Sequence, residues 1–194
     1  MTKKFTKKIF PLLALLLLAP WPVAYAHTYN DDMAGQDAVR IEVAEPSLAP
    51  SWTAFGKAIG GVTPGDLFYI DAADNPTDIV VTLYITNAQE LIGCYRYLIL
   101  KVGVYVESNA GQWDKAPMAN GGLIPDTFIT MRDARVSFTL PGYTKYKATI
   151  DSGSFYCTNT EANGGSLSPQ FYLTVDQQKG PKQLPATRIG GIEK

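Results

Sequence analysis

Histidine is almost absent from this 194-residue chain: His27 is the only one, and cysteine occurs twice, as Cys94 and Cys157. A single histidine excludes the H-E-x-x-H pair of zinc hydrolases. The two cysteines form no C-x-x-C, and G-x-S-x-G does not occur. A thiol nucleophile would have only His27 to serve as its base, and His27 is remote in sequence from both cysteines. Charge is also scarce, at 18% of residues, and there is no basic excess of the kind that holds phosphate, which argues against a nucleic-acid partner. So small an inventory reads as a non-enzyme. A carboxylate pair for glycoside hydrolysis is the one enzyme class left open, because its members can meet only in the fold.

Long apolar runs are equally rare. The one at the start, Ile9 to Ala19, follows Lys3, Lys4, Lys7 and Lys8 and precedes Pro20, Pro22 and the small-x-small triplet Ala24-Tyr25-Ala26. Its 11 residues fall short of the ~20 that span a bilayer. Residues 1–26 are therefore expected to be a signal peptide cleaved after Ala26. No cysteine follows the run to carry a lipid, and no later segment approaches transmembrane length. The mature protein is expected to be secreted or held at the cell surface. It keeps 168 residues, and with the four leading lysines gone its 13 basic groups face 18 acidic ones, a net charge of −5 against −1 for the whole chain. An apolar fraction of 46% is ample for one globular domain.

Outside the cytoplasm two lone cysteines are most simply a disulfide, so Cys94 and Cys157 are expected to be bridged, worth roughly 4 kcal/mol in the chain-entropy model.

What the mature chain has in abundance is period-two alternation in short segments separated by Gly, Pro, Asn and Asp. Strands are expected at 39–43, 67–70, 79–86, 94–107, 127–131, 135–140, 143–150 and 170–176, with a shorter piece at 154–158. A turn is expected at Thr63-Pro64-Gly65-Asp66, a break at 87–93, and a bend at Gly103. Arg96 is the one misfit on the inward face of its strand. Residues 108–126 form the longest loop, and 52–59 suit one or two helical turns. The fold class is all-β, an antiparallel two-layer sandwich of about eight or nine strands. The domain spans 38–176, after a flexible segment 27–37 and before a disordered tail 177–194.

The run Asp151-Ser152-Gly153-Ser154-Phe155-Tyr156-Cys157 resembles the D-x-G-x-[YF]-x-C pattern of immunoglobulin-like domains. The resemblance implies an Asp-Gly turn feeding a strand, with Cys157 reaching across the sandwich toward Cys94. Phe155 stands where that pattern carries its corner tyrosine.

Cleavage would make His27 the first residue of the mature chain, where the α-amino and ring nitrogens can chelate copper. In that respect the chain is similar to the secreted lytic polysaccharide monooxygenases. Those complete their site with a second histidine, which is missing here, leaving a one-histidine copper site with Asp31 or Asp32. Asp71, Asp74, Asn75 and Asp78 form an oxygen-rich turn that suits calcium, without the D-x-D-x-D-G spacing. No other cofactor is called for. Tyr95, Tyr97 and Tyr105 share the odd positions of their strand and are expected to face outward as a stacking surface, with Trp113 in the long loop beside them. In the tail, Leu184-Pro185-Ala186-Thr187-Arg188 is similar to the L-P-x-T-G sorting signal, with Arg188 in place of its glycine.

The expected function is binding by an exported module, to a protein or glycan at the cell exterior. One alternative is a fibre subunit that self-associates by pairing Val39 to Glu45 with a neighbour's sheet edge. The other is a copper protein.

Overall fold

The computed structural model describes residues 24–29, 38–55, 59–108, 111–158 and 168–177. These form two sheets around one core, the all-β sandwich that the alternation predicts. The first sheet has four strands in the order β1 (Ala24–Tyr29), β12 (Phe171–Gln177), β6 (Ile79–Ile85) and β10 (Arg135–Leu140). Its pairings are antiparallel except for β1, which runs parallel to β12.

The second sheet is built on two long neighbours, β7 (Tyr95–Glu107) and β11 (Thr144–Cys157), antiparallel along almost their whole length. On the far side of β11 lie β5 (Gly65–Ala72) and β4 (Ile59–Thr63), flanked by β2 (Arg40–Val43) and β3 (Ser51–Phe55). On the far side of β7 lie β8 (Trp113–Lys115) and β9 (Thr127–Thr130). The facing sides of both sheets merge into a single buried cluster. Ile79, Val81, Leu83, Phe171, Leu173 and Val175 come from the first sheet, and Phe68, Ile70, Leu100, Val104, Tyr146 and Ile150 from the second. Most of these alternate with more exposed positions along their strands, as a half-buried pleat requires.

Several local expectations are corrected. Thr63 to Asp66 is no turn, because β4 and β5 lie end to end along β11, with Val62 opposite Gly153 and Gly65 opposite Ile150. Pro64 only interrupts the run, since it has no N–H to give the ladder. The helical turns expected at 52–59 are instead a β3–β4 hairpin, in which Gly60 leaves room for the Phe155 ring. The break at 87–93 is a helix, α1 (Ala88–Cys94), held by one buried side chain, Leu91. Asn87 anchors its start: the amide donates to the Ser168 carbonyl at 2.9 Å and accepts from Gln170 N–H at 2.9 Å. The strands expected at 143–150 and 154–158 are one 14-residue strand.

Asp151 to Gly153 is accordingly not the expected turn but the bulged middle of β11, where pairing to β7 shifts between Ile150 and Ser152. The bend expected at Gly103 falls there too. A second shift, between Tyr156 and Cys157, resolves the Arg96 misfit: Arg96 points to solvent and Tyr95 turns inward. The hydroxyl that Phe155 lacks is found at the other end of the strand, where buried Tyr146 donates to the Pro141 carbonyl at 2.6 Å. Burial raises the Tyr146 phenol, with the Asp78 charge adding to it.

Of the tail expected at 177–194, Gln177 closes β12, while 178–194 with its Leu184 to Arg188 segment, residues 1–23 of the expected signal peptide, and Asn30 to Asp37 lie outside the described residues. Among the described residues, no helix is long and apolar enough to cross a membrane.

Candidate functional site

The outer face of the larger sheet carries one row of side chains in register across five strands: Glu42, Tyr69, Lys147, Tyr105 and Lys115. Alternation puts each of them outward, opposite core residues such as Ile70, Tyr146 and Val104. Lys147 sits at the centre with its ammonium 3.0 Å and 3.2 Å from the two carboxylate oxygens of Asp66. Both partners are mostly buried, with side-chain exposures of 18% and 17%. The same ammonium lies 5.2 Å from the ring centroid of Trp113 and 5.9 Å from that of Tyr105, within cation–π range. Trp113 leans on Tyr69 with centroids 6.0 Å apart and planes tilted by 48°.

The hydroxyls are held as donors. Tyr69 donates to Asp66 Oδ2 at 2.7 Å, and Tyr105 donates to Asp151 Oδ2 at 3.0 Å. Burial first, and then the bonded carboxylate, pushes each phenol up to about 12. Thr149 completes the network by donating to Asp151 Oδ1 at 2.6 Å. Gly103 is what admits it, because a Cβ there would collide with Asp151, Thr149 and Tyr105.

Beside Trp113 and Tyr69 opens a cleft of about 270 Å³, rimmed by Arg40, Glu42, Asp71, Glu107 and Lys145. The rim is charged in both senses and partly paired, Lys145 lying 3.3 Å from Asp71. Such a site offers an aromatic wall and a ring of donors and acceptors without a net charge demand of one sign. A larger cleft, about 530 Å³, lies elsewhere between β10 and the 118–127 segment. Asp78 is its one ionisable side chain, so it has far less chemistry to offer than the Trp113 cleft.

The aromatic residues expected to face outward therefore divide. Trp113 and Tyr105 belong to the site. Tyr97 is half-exposed but stands apart, its ring 6.2 Å from Tyr156. Tyr95 is corrected to a core residue, 5% exposed and edge-on to Phe155 at 5.6 Å, because the register shift beside Cys157 reverses its direction. Tyr69, Lys147 and Asp66 were not foreseen. Their outward positions follow from the alternation of β5 and β11, but the pairing that brings them together spans 81 residues of chain.

The inter-sheet bridge is also corrected. Cys94 ends α1 and Cys157 ends β11. The two adjoin where α1 runs into β7 beside the end of β11, and there the Cys94 carbonyl accepts from Thr158 N–H at 2.9 Å and from its hydroxyl at 3.1 Å. No S–S bond joins them in the structure.

The calcium candidates do not gather. Asp71 is engaged by Lys145 and by Ala73 N–H, Asp74 is exposed, and buried Asn75 donates to the Thr77 carbonyl. Asp78 lines the larger cleft. Among the described residues, no three His, Cys, Asp or Glu side chains converge on a metal-sized space. His27 falls in β1, opposite Thr174, while its candidate partners Asp31 and Asp32 lie outside the described residues. Compared with known proteins, the chain matches no protein-family model and no curated protein.

Proposed function

We propose that the chain is an exported binding module that takes a hydroxyl-rich ligand, such as an oligosaccharide, in the cleft beside Trp113. The observation that carries this reading is the Tyr69–Trp113 pair walling a cleft whose rim holds two bases and three carboxylates. Sugars present C–H faces that pack on aromatic rings and hydroxyls that both donate and accept, and this site supplies partners for both. Lys147 and Asp66 neutralise one another beneath the rings, which makes them a support for the platform more than a reacting pair. Binding, not turnover, is the activity proposed. Export also places neighbouring Cys94 and Cys157 where thiols oxidise, and we read them as a clasp, formed there, between the end of α1 and the end of β11.

The test is titration of the purified protein with soluble oligosaccharides of differing linkage, followed by tryptophan fluorescence and by amide shifts. A saturable response confined to residues around Trp113, and lost in Trp113→Ala, is the expected result. A response that survives Trp113→Ala, or none with any sugar, overturns the reading.

A further inference from the structure

We propose that signal cleavage leaves the β12 edge of the smaller sheet open, and that a second copy of this chain pairs with it. The inference rests on export with a cut after Ala26, and otherwise on features remote from the Trp113 cleft. In the structure the edge of β12 is covered over six residues by β1, from Ala24 opposite Phe171 to Tyr29 opposite Asp176. The expected cut falls inside that pairing, between Ala26, opposite Leu173, and His27, opposite Thr174. Cleavage removes the half of the cover that lies along Phe171, Tyr172 and Leu173. What remains is a strand of three residues, at the lower limit of strand length.

The uncovered half of β12 carries none of the prolines or charges that blunt natural edges. From Phe171 to Gln177 there is no Pro, Lys or Arg, and the one charge, Asp176, lies beyond the uncovered stretch. The edge strands β2 and β10, by contrast, carry Arg40, Glu42 and Arg135. Nor can β12 twist away, because Phe171, Leu173 and Val175 are each 0% exposed and locked in the core. Phe-Tyr-Leu-Thr-Val is a strongly strand-forming sequence. An unblunted edge of this kind, anchored in the core, fits a strand partner. The same edge on a second copy satisfies it: two β12 strands run antiparallel about a two-fold axis at Tyr172, with no like charges opposed.

The experiment uses the exported protein, its N-terminus identified by mass spectrometry, in sedimentation velocity over a concentration series. The expected result is a chain beginning at His27 whose apparent mass doubles as concentration rises. A hexapeptide Ala-Tyr-Ala-His-Thr-Tyr in excess, which displaces the three-residue remnant and covers β12 from Phe171 to Asp176 without altering the chain, returns it to monomer. Tyr172→Lys does the same with an unchanged circular dichroism spectrum, and if that variant misfolds the peptide decides. Retention of Ala24 to Ala26, a monomer at every concentration, an open-ended assembly, or a dimer indifferent to the peptide each overturns the proposal. The oligosaccharide titration at Trp113 is read separately, so either result stands without the other.

Discussion

The Lys147 ammonium lies 3.0 Å from the nearer carboxylate oxygen of Asp66 and, on its other side, 5.2 Å from the centre of the Trp113 ring. One cation thus joins two sequence-distant strands and positions the ring that walls the cleft. Lys147→Met keeps the aliphatic stem but strips Asp66 of its counter-charge, leaving Tyr69 as its remaining donor. A loss of about 1–3 kcal/mol in urea unfolding is expected, with most of it recovered in Lys147→Arg. A variant as stable as the parent would mean that the pair contributes nothing net.

Gly103 lies so close against Asp151, Thr149 and the Tyr105 ring that a side chain there would meet all three. Gly103→Ala pushes a methyl into all three and is expected to cost about 1–3 kcal/mol while breaking the Tyr105–Asp151 bond. Thermal unfolding gives the first quantity. A downward move of the Tyr105 phenol in an alkaline titration gives the second.

Tyr146→Phe removes one oxygen from a buried ring and leaves the Pro141 carbonyl without its donor. The expected cost is about 1–3 kcal/mol, with the fold and the Trp113 cleft unchanged. Equal denaturation midpoints for parent and variant would show that water replaces the phenol there.

Tyr69, Tyr95 and Tyr105 are all raised from 10.0 to about 12, chiefly by burial. Between those values the unfolded chain gives up protons that the folded chain keeps, so each tyrosine stabilises the fold fully below pH 10 and loses that contribution as pH climbs toward 12. Stability measured by denaturant should fall steeply over that window. A flat profile between pH 10 and 12 would contradict the assignment.

Cys94 and Cys157, adjoining at the ends of α1 and β11, should be recovered from exported protein without alkylatable thiols until a reductant is added. Alkylation followed by mass spectrometry measures this directly. Two labelled cysteines in the unreduced protein would rule out the clasp.

The strands were legible wherever apolar and polar residues alternate, as in β10 and β12, because one side of each faces the core. Legibility failed where the backbone changes phase. A single bulged residue reverses every side chain beyond it, so Tyr95 read as outward and Arg96 as inward until the shift beside Cys157 was in view. Helix α1 buries only Leu91, too little to show a helical period. Of the site, Trp113 and Tyr105 were named from the sequence. Tyr69, Lys147 and Asp66 were not, since an outward polar residue on a strand gives no sign of its cross-strand partner.

Strand β11 has a consequence for the order in which the chain folds. It borders β7 along one side and both β5 and β4 along the other, so the larger sheet has no middle until residues 144–157 arrive, and its pairing reaches back some 80 residues, as Lys147 to Asp66 does. Contacts of such separation make for slow folding, because the loop must close before any of them forms. The part of the chain before residue 144 therefore lacks the strand around which the larger sheet is built, and that sheet cannot assemble until residues 144–157 are in place.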